Sequence, residues 1–282
     1  MAQSTGRPIA PMKGKKKHLK DDDLFACTFT DGKTYKVSWK DLKNLFIDKP
    51  SIWHVKDLTG GDLPVKNVDA VFDMAGNKLS DFAASFTIKS GQEVLVIGSD
   101  VRFNNRGAET KCNWNFGDQT NTKNQQMWDD MFAHNHGFNG DLSHVDMTSK
   151  AFNLQYILDG CYAFNQPIPN HWNTENVNTI RAAFQVFESS NPVFNQAVNW
   201  NIANCQEMRL VFHCQGKFNS TSVNSWKTGK VANENGMRNS FNKCAALSCD
   251  LRGWCVSKIP TAPNGFAAGA PGVIPPIWGT CP

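Results

Sequence analysis

The residues best suited to chemistry in this chain are His134-Asn135-His136, with His144 and Asp146 close behind them. Two imidazoles spaced as HxH, with a nearby carboxylate, are ligand types that zinc accepts. HxH alone is a weak signal, however, and the segment reads as a loop between two repeats. Asp129 and Asp130 are the best-placed carboxylate pair. They sit in a stretch, Met127–Phe132, that reads as helical, where adjacent residues face different ways. That argues against a two-carboxylate glycosidase centre, which needs both groups aimed at one bond. Asp21-Asp22-Asp23 reads as a solvated run or as the acidic start of the strand after it. The nine cysteines lie at positions 27, 112, 161, 205, 214, 244, 249, 255 and 281. An odd number cannot pair completely within the chain, no CxxC occurs, and the gaps fit no zinc module. Most therefore read as small buried apolar side chains. GxSxG, HExxH, a P-loop and a GxGxxG after a strand are all absent from the sequence. The expectation is a protein that is not an enzyme and uses no metal or cofactor.

The elements that would position any site are more informative. Phe164-Asn165-Gln166-Pro167-Ile168 is followed by Trp172-Asn173, and Phe194-Asn195-Gln196-Ala197-Val198 by Trp200-Asn201. Phe218-Asn219 leads to Val223 and Trp226, an earlier copy opens at Phe138-Asn139, and a terminal copy keeps Leu251 and Trp254. The Phe-Asn starts are 26, 30 and 24 residues apart, and the tryptophans 28, 26 and 28. Between them lies a second half-signature: Val177, Ile180, Phe184 and Phe187, then Cys205, Met208, Val211 and Phe212, then Met237 and Phe241, with Met127, Met131 and Phe132 ahead. Apolar residues three or four apart predict a helical turn or two. Each unit is thus expected to be a short strand followed by a short helix. One such unit encloses no core, but stacked copies cover one another's open faces. At about 4.8 Å per strand, five units give a stack of roughly 25 Å. Phe138, Phe164, Phe194 and Phe218 are expected as an inner column, with Asn139, Asn165, Asn195 and Asn219 satisfying backbone groups in the bends. The matching Trp172, Trp200, Trp226 and Trp254 read either as further scaffold or as an exposed binding stripe.

The rest of the chain divides by composition. Residues 1–23, rich in Lys, Gly, Pro and Asp, read as a disordered basic arm. Residues 24–101 read as an anchoring, β-rich region: a hairpin about Asp31-Gly32, a short helix at 41–46, then strands at 65–74, 82–88 and 93–97. Residues 102–256 are the repeat region and 257–282 a Pro/Gly-rich cap. The predicted fold class is α+β, with a small N-terminal β domain followed by a short leucine-rich-repeat-like α/β solenoid and a C-terminal cap. The net charge of +4 comes largely from Lys13, Lys15, Lys16, Lys17 and Lys20. The body lacks the basic face that nucleic-acid binding requires. No stretch approaches the ~18 apolar residues of a membrane span, and Met1 to Lys20 lacks the apolar run of a secretory signal.

The pattern at 164–184, FNQ.I..W.T.NV..I...F, resembles the BspA-type leucine-rich repeat surface proteins. So does the ending Trp254–Pro260, Pro263–Phe266 and Pro276–Pro282, which resembles the closing segment of such repeats in marine phage and bacterial proteins. The resemblance covers residues 125–282 and implies a repeat solenoid used for surface interaction. Segment 21–46 resembles a stretch near the start of structural proteins of cyanobacterial phages. Together they imply a bacteriophage virion protein of the tail, baseplate, fibre or capsid surface. It would be made in the host cytoplasm and present in the particle as a homo-oligomer. Its N-terminal region would attach to other virion proteins, and its repeats would face outward toward a host receptor or glycan. A bacterial surface adhesin and a phage polysaccharide depolymerase are the alternatives. Cys255 and Cys281 bracket the cap, so a disulfide between them would tie it over the last repeat.

Overall fold

The computed structural model describes residues 24–28, 34–38, 50–106, 110–188 and 191–282. The basic arm, the Asp31-Gly32 turn and the helix expected at 41–46 lie outside the described residues. Strands β1 (Leu24–Thr28) and β2 (Thr34–Ser38) pair antiparallel, with Leu24 opposite Ser38 and Thr28 opposite Thr34.

Five strands follow in one antiparallel sheet: β3 (Ser51–Thr59), β4 (Leu63–Asp73), β5 (Lys78–Ile88), β6 (Val94–Gly98) and β7 (Asn113–Phe116), in the order β5-β4-β6-β3-β7. The apolar run of β6 is buried throughout because the strand lies at the centre of the sheet. One face of the sheet, carrying Trp53, Val55, Leu63, Val65, Val71 and Val96, enters a core continuous with that of the repeats. Trp53 is the joint. Its ring lies 5.1 Å from Phe103, 5.3 Å from Phe116, 6.1 Å from Trp128 and 6.4 Å from Phe132.

The repeats do stack, but they contain no α-helix among the described residues, and the α/β solenoid of the sequence reading is wrong. Among the described residues the fold is nearly all β and turn, with two 3-10 helices, Thr221–Ser225 and Glu234–Met237. The apolar spacing is real; its cause differs. In the segment from Ile180, alternate N–H groups leave the unit. Ile180 donates to Glu207 O, Ala182 to Arg209 O, Phe184 to Val211 O and Val186 to His213 O. The residues between turn back on their own unit, Ala183 donating to Ile180 O and Gln185 to Ala182 O, both at 3.2 Å. A helix would send all of these bonds inward along itself. Here half join neighbouring rungs, and left-handed residues make the alternation possible: Asp130, Tyr156, Ala182, Leu210 and Asn239 (φ 52–60°), followed in register by Gly265 (φ 66°). The expected Phe-Asn strands are also reduced. Outside β7 and the three-residue β8 (Ser248–Asp250), parallel with β9 (Gly272–Ile274), the units meet through isolated bridges such as Asn153 to Thr179 and Thr179 to Glu207.

Both ends of the stack are covered. The sheet closes the first, and β7 serves both as its edge strand and as the first rung. At the other end Phe266 packs over Phe241 and Trp254, with centroids 5.5 and 6.3 Å away, and Trp278 packs on Phe266 at 5.1 Å. Cys255 and Cys281 are bonded there. Repeat stacks need such ends because the outer face of a terminal unit is otherwise bare apolar surface.

Candidate functional site

The repeat signature resolves into three ladders. The first is polar. Asn113 Oδ1 accepts the N–H of Asn139 (2.7 Å), Asn139 that of Asn165, Asn165 that of Asn195, and Asn195 that of Asn219 (2.8 Å each); Asn219 accepts from Ser248 (2.9 Å). Each asparagine therefore ties its unit to the next, not to its own bend. The ladder begins at Cys112-Asn113, one unit before the first Phe-Asn. Sequence reasoning missed that unit because cysteine stands in the phenylalanine position; counting back 26 residues from Phe138 would have found it.

The second ladder is aromatic. Phe138, Phe164, Phe194 and Phe218 stack at centroid distances of 5.6, 6.0 and 5.9 Å, and Phe184, Phe212 and Phe241 form a parallel column at 5.1 and 5.9 Å. The third holds the tryptophans, and it corrects the idea of an exposed stripe. Trp172, Trp200, Trp226 and Trp254 are 5, 5, 4 and 0% exposed. Three of the indoles donate to a carbonyl of an earlier unit: Trp172 to Val145 O, Trp226 to Val198 O and Trp254 to Val223 O, at 2.7–3.0 Å. A buried indole N–H needs such a partner, so these positions are scaffold. The Trp200 indole N–H has none among the described residues.

The metal-type residues are not brought to one centre. The His134 and His136 rings lie 6.4 Å apart, His144 is exposed, and Asp146 lies 3.6 Å from His171. Among the described residues no group of three His, Cys, Asp or Glu side chains is placed to hold a metal. Asp129 and Asp130 are held by different arginines. Arg102 pairs with Asp129 at 3.3 Å, while Arg106 Nε donates to Asp130 at 2.7 Å. Arg106 also lies 3.3 Å from buried Asp159 and stands over the Tyr156 ring at 4.5 Å, with Arg181 at 5.3 Å. His134 Nε2 completes the group, 3.4 Å from Asp159. This network braces three rungs; its carboxylates are engaged by cations and do not face a shared substrate position.

Four buried thiols are equally unsuited to attack. Burial pushes Cys205 up to about 12 and Cys249 to about 11, and lifts Cys161 and Cys244 further still. A thiol kept protonated is a poor nucleophile. Cys161 and Cys244 instead donate to Phe132 O and Phe212 O of the preceding rungs at 3.0 Å. Among the described residues no helix is long and apolar enough to cross a membrane.

Rungs joined by an asparagine ladder, filled by aromatic columns and closed at both ends define a stacked repeat protein. Residues 108–196 and 185–270 match the family described as Mycoplasma protein of unknown function, DUF285, and the chain belongs to it. This is the BspA-like repeat family in general. The match begins within a few residues of Asn113, where the ladder starts. No curated protein and no solved structure matches the chain.

Proposed function

We propose that this protein is a structural component of a bacteriophage particle, on the tail, baseplate, fibre or capsid surface. Its N-terminal region attaches to other virion proteins, and its repeat stack faces outward to bind a host-surface receptor or glycan. The observation that carries this reading is the closure of the stack at both ends, by the Trp53 sheet and by the tail tied at Cys255–Cys281. A stack closed in this way does not grow into a fibre. It offers partners its flanks, and the strand that begins at Ser51 lies at the sheet end, which suits a module anchored at one end and read from the side. The likeness of segment 21–46 to structural proteins of cyanobacterial phages supports the same reading. Ion-paired carboxylates and protonated, buried thiols favour binding over catalysis.

The test is the protein content of purified particles. Mass spectrometry of virions banded on a density gradient should find peptides of this chain in fixed ratio to the major capsid protein. Particles that lack the chain, with the chain recovered from the cell-surface fraction of uninfected bacteria, would overturn the proposal in favour of an adhesin.

A further inference from the structure

One flank of the stack breaks its own rule in the unit that contains Trp226. In the two units before it, an asparagine follows the stacked tryptophan and caps the turn. Asn173 Oδ1 accepts the N–H of Glu175 at 3.0 Å, and Asn201 Oδ1 that of Ala203 at 3.2 Å. Lys227 stands in that position after Trp226, and the corresponding N–H, that of Gly229, has no acceptor among the described residues. The third residue after the tryptophan also shrinks along the series, from Glu175 to Ala203 to Gly229.

The result is a cavity of about 490 Å³, lined in part by Ala203, Asn224, Lys227, Gly229, Lys230 and Cys255, with no acidic residue in its wall. Lys227 and Lys230 are exposed and form no ion pair among the described residues. Asn224 Oδ1 is buried there without a hydrogen-bond partner. Lys227, Lys230 and the uncapped Gly229 thus line one cavity together with Asn224, whose amide oxygen is buried without a partner.

We propose that this cavity binds an acidic sugar, a uronic-acid residue of a surface polysaccharide. A carboxylate oxygen takes the place that Asn201 Oδ1 holds one rung earlier, accepting from the Gly229 N–H and from Lys227 and Lys230. A ring hydroxyl donates to Asn224 Oδ1. A plain inorganic anion satisfies the first set of groups and leaves the second unmet; a neutral sugar does the reverse. The disulfide supports the floor, since a Cβ on Gly229 would stand 3.2 Å from Cys255 Sγ. The inference rests on the reading of the stack as the outward, binding part of the protein.

Calorimetric titration of the oxidised full-length chain tests it with three probes: trigalacturonate, the neutral maltotriose and sodium sulfate. Trigalacturonate should bind saturably, more weakly as salt rises, and at least about tenfold tighter than the other two, as loss of a charge-assisted hydrogen bond implies. Lys227→Asn restores the repeat's own cap. It should melt no lower than wild type and lose binding by about tenfold or more, because the new amide oxygen occupies the carboxylate position. Lys230→Gln should weaken binding without filling the position, and Lys258→Gln, one rung on and outside the cavity wall, should leave it unchanged. Wild-type affinity in both Lys227→Asn and Lys230→Gln would overturn the proposal. So would maltotriose or sulfate matching trigalacturonate, or no trigalacturonate binding at millimolar concentration. Failure here leaves placement in the particle standing, because virion composition is measured independently.

Discussion

Replacing Phe212 by alanine should be among the most damaging single changes in the repeat stack. Its ring is fully buried and lies 4.0 Å from Phe218, 5.1 Å from Phe184, 5.9 Å from Phe241 and 5.9 Å from Trp226, centroid to centroid. It is therefore the point where both phenylalanine columns and the tryptophan column meet. Truncation of a core phenylalanine costs about 3–5 kcal/mol. Aromatic pairs add about 0.5–1.5 kcal/mol beyond their buried area, which places this site toward the upper end of that range. Against a typical total of about 5–15 kcal/mol, the variant would lose a large share of its stability. Urea unfolding gives the difference directly, and Phe152→Ala is the control, since Phe152 is 47% exposed and should change stability by no more than about 0.5 kcal/mol. Amide exchange should show the damage concentrated at the rungs flanking Phe212, where Phe184 N–H donates to Val211 O and Phe212 N–H to Ser240 O. A loss below about 1 kcal/mol, or one equal to that of Phe152→Ala, would refute the claim that these rings form one load-sharing column.

Ala182→Val should destabilise by about 2 kcal/mol or more, because a branched side chain is forced into the left-handed region at a fully buried site; thermal melting of the pair measures it. Reduction of Cys255–Cys281, or Cys255→Ser, should lower stability by about 2–4 kcal/mol and raise exchange first at Val256 and Thr280, whose backbones are joined at 2.7 Å across the cap. Acid should weaken the fold before the carboxylates titrate. Burial holds His54 below its ordinary value despite Glu93 and Asp118, and burial with Lys243 nearby does the same for His213. The unfolded chain then binds more protons than the folded one as pH falls below about 6.5, so stability is complete above that point and drops beneath it. A melting temperature flat from pH 7.5 to 5, or His54→Gln melts with the same pH dependence as wild type, would contradict that sign.

What could be read from the sequence followed from how local each signal is. Strand β6 is a continuous apolar run, and β4 and β5 alternate between turn residues, so all three were legible. Strand β3 was not, because its buried face includes Ser51 and His54 among the apolar residues. The stacking period was legible from Phe-Asn and Trp alone. The helices were misread because Val177, Ile180 and Phe184 have helical spacing, while the residues that break the helix do not announce themselves. Ala182 and Leu210 carry no preference for positive φ; Asp130, Asn239 and Gly265, toward the two ends, do. The tryptophans were ambiguous for a physical reason. A large aromatic at one position of every unit is required equally by a core column and by an exposed stripe, and what decides is burial, with the carbonyl that three of the four indoles reach on another rung. The cavity could have been sought by asking where the Trp-Asn pair loses its asparagine, at Lys227 and again at Cys255, both of which line it.

We propose that this chain is built into a phage particle with its repeats exposed. The most direct measurement is a cryo-electron reconstruction of intact virions at a resolution that traces the stacked rungs. Density for the Phe and Trp columns is expected on the particle surface, in several symmetry-related copies, with the end that carries the Trp53 sheet toward the particle and the Cys255–Cys281 end away from it. A reconstruction with every surface density assigned to other chains would contradict it.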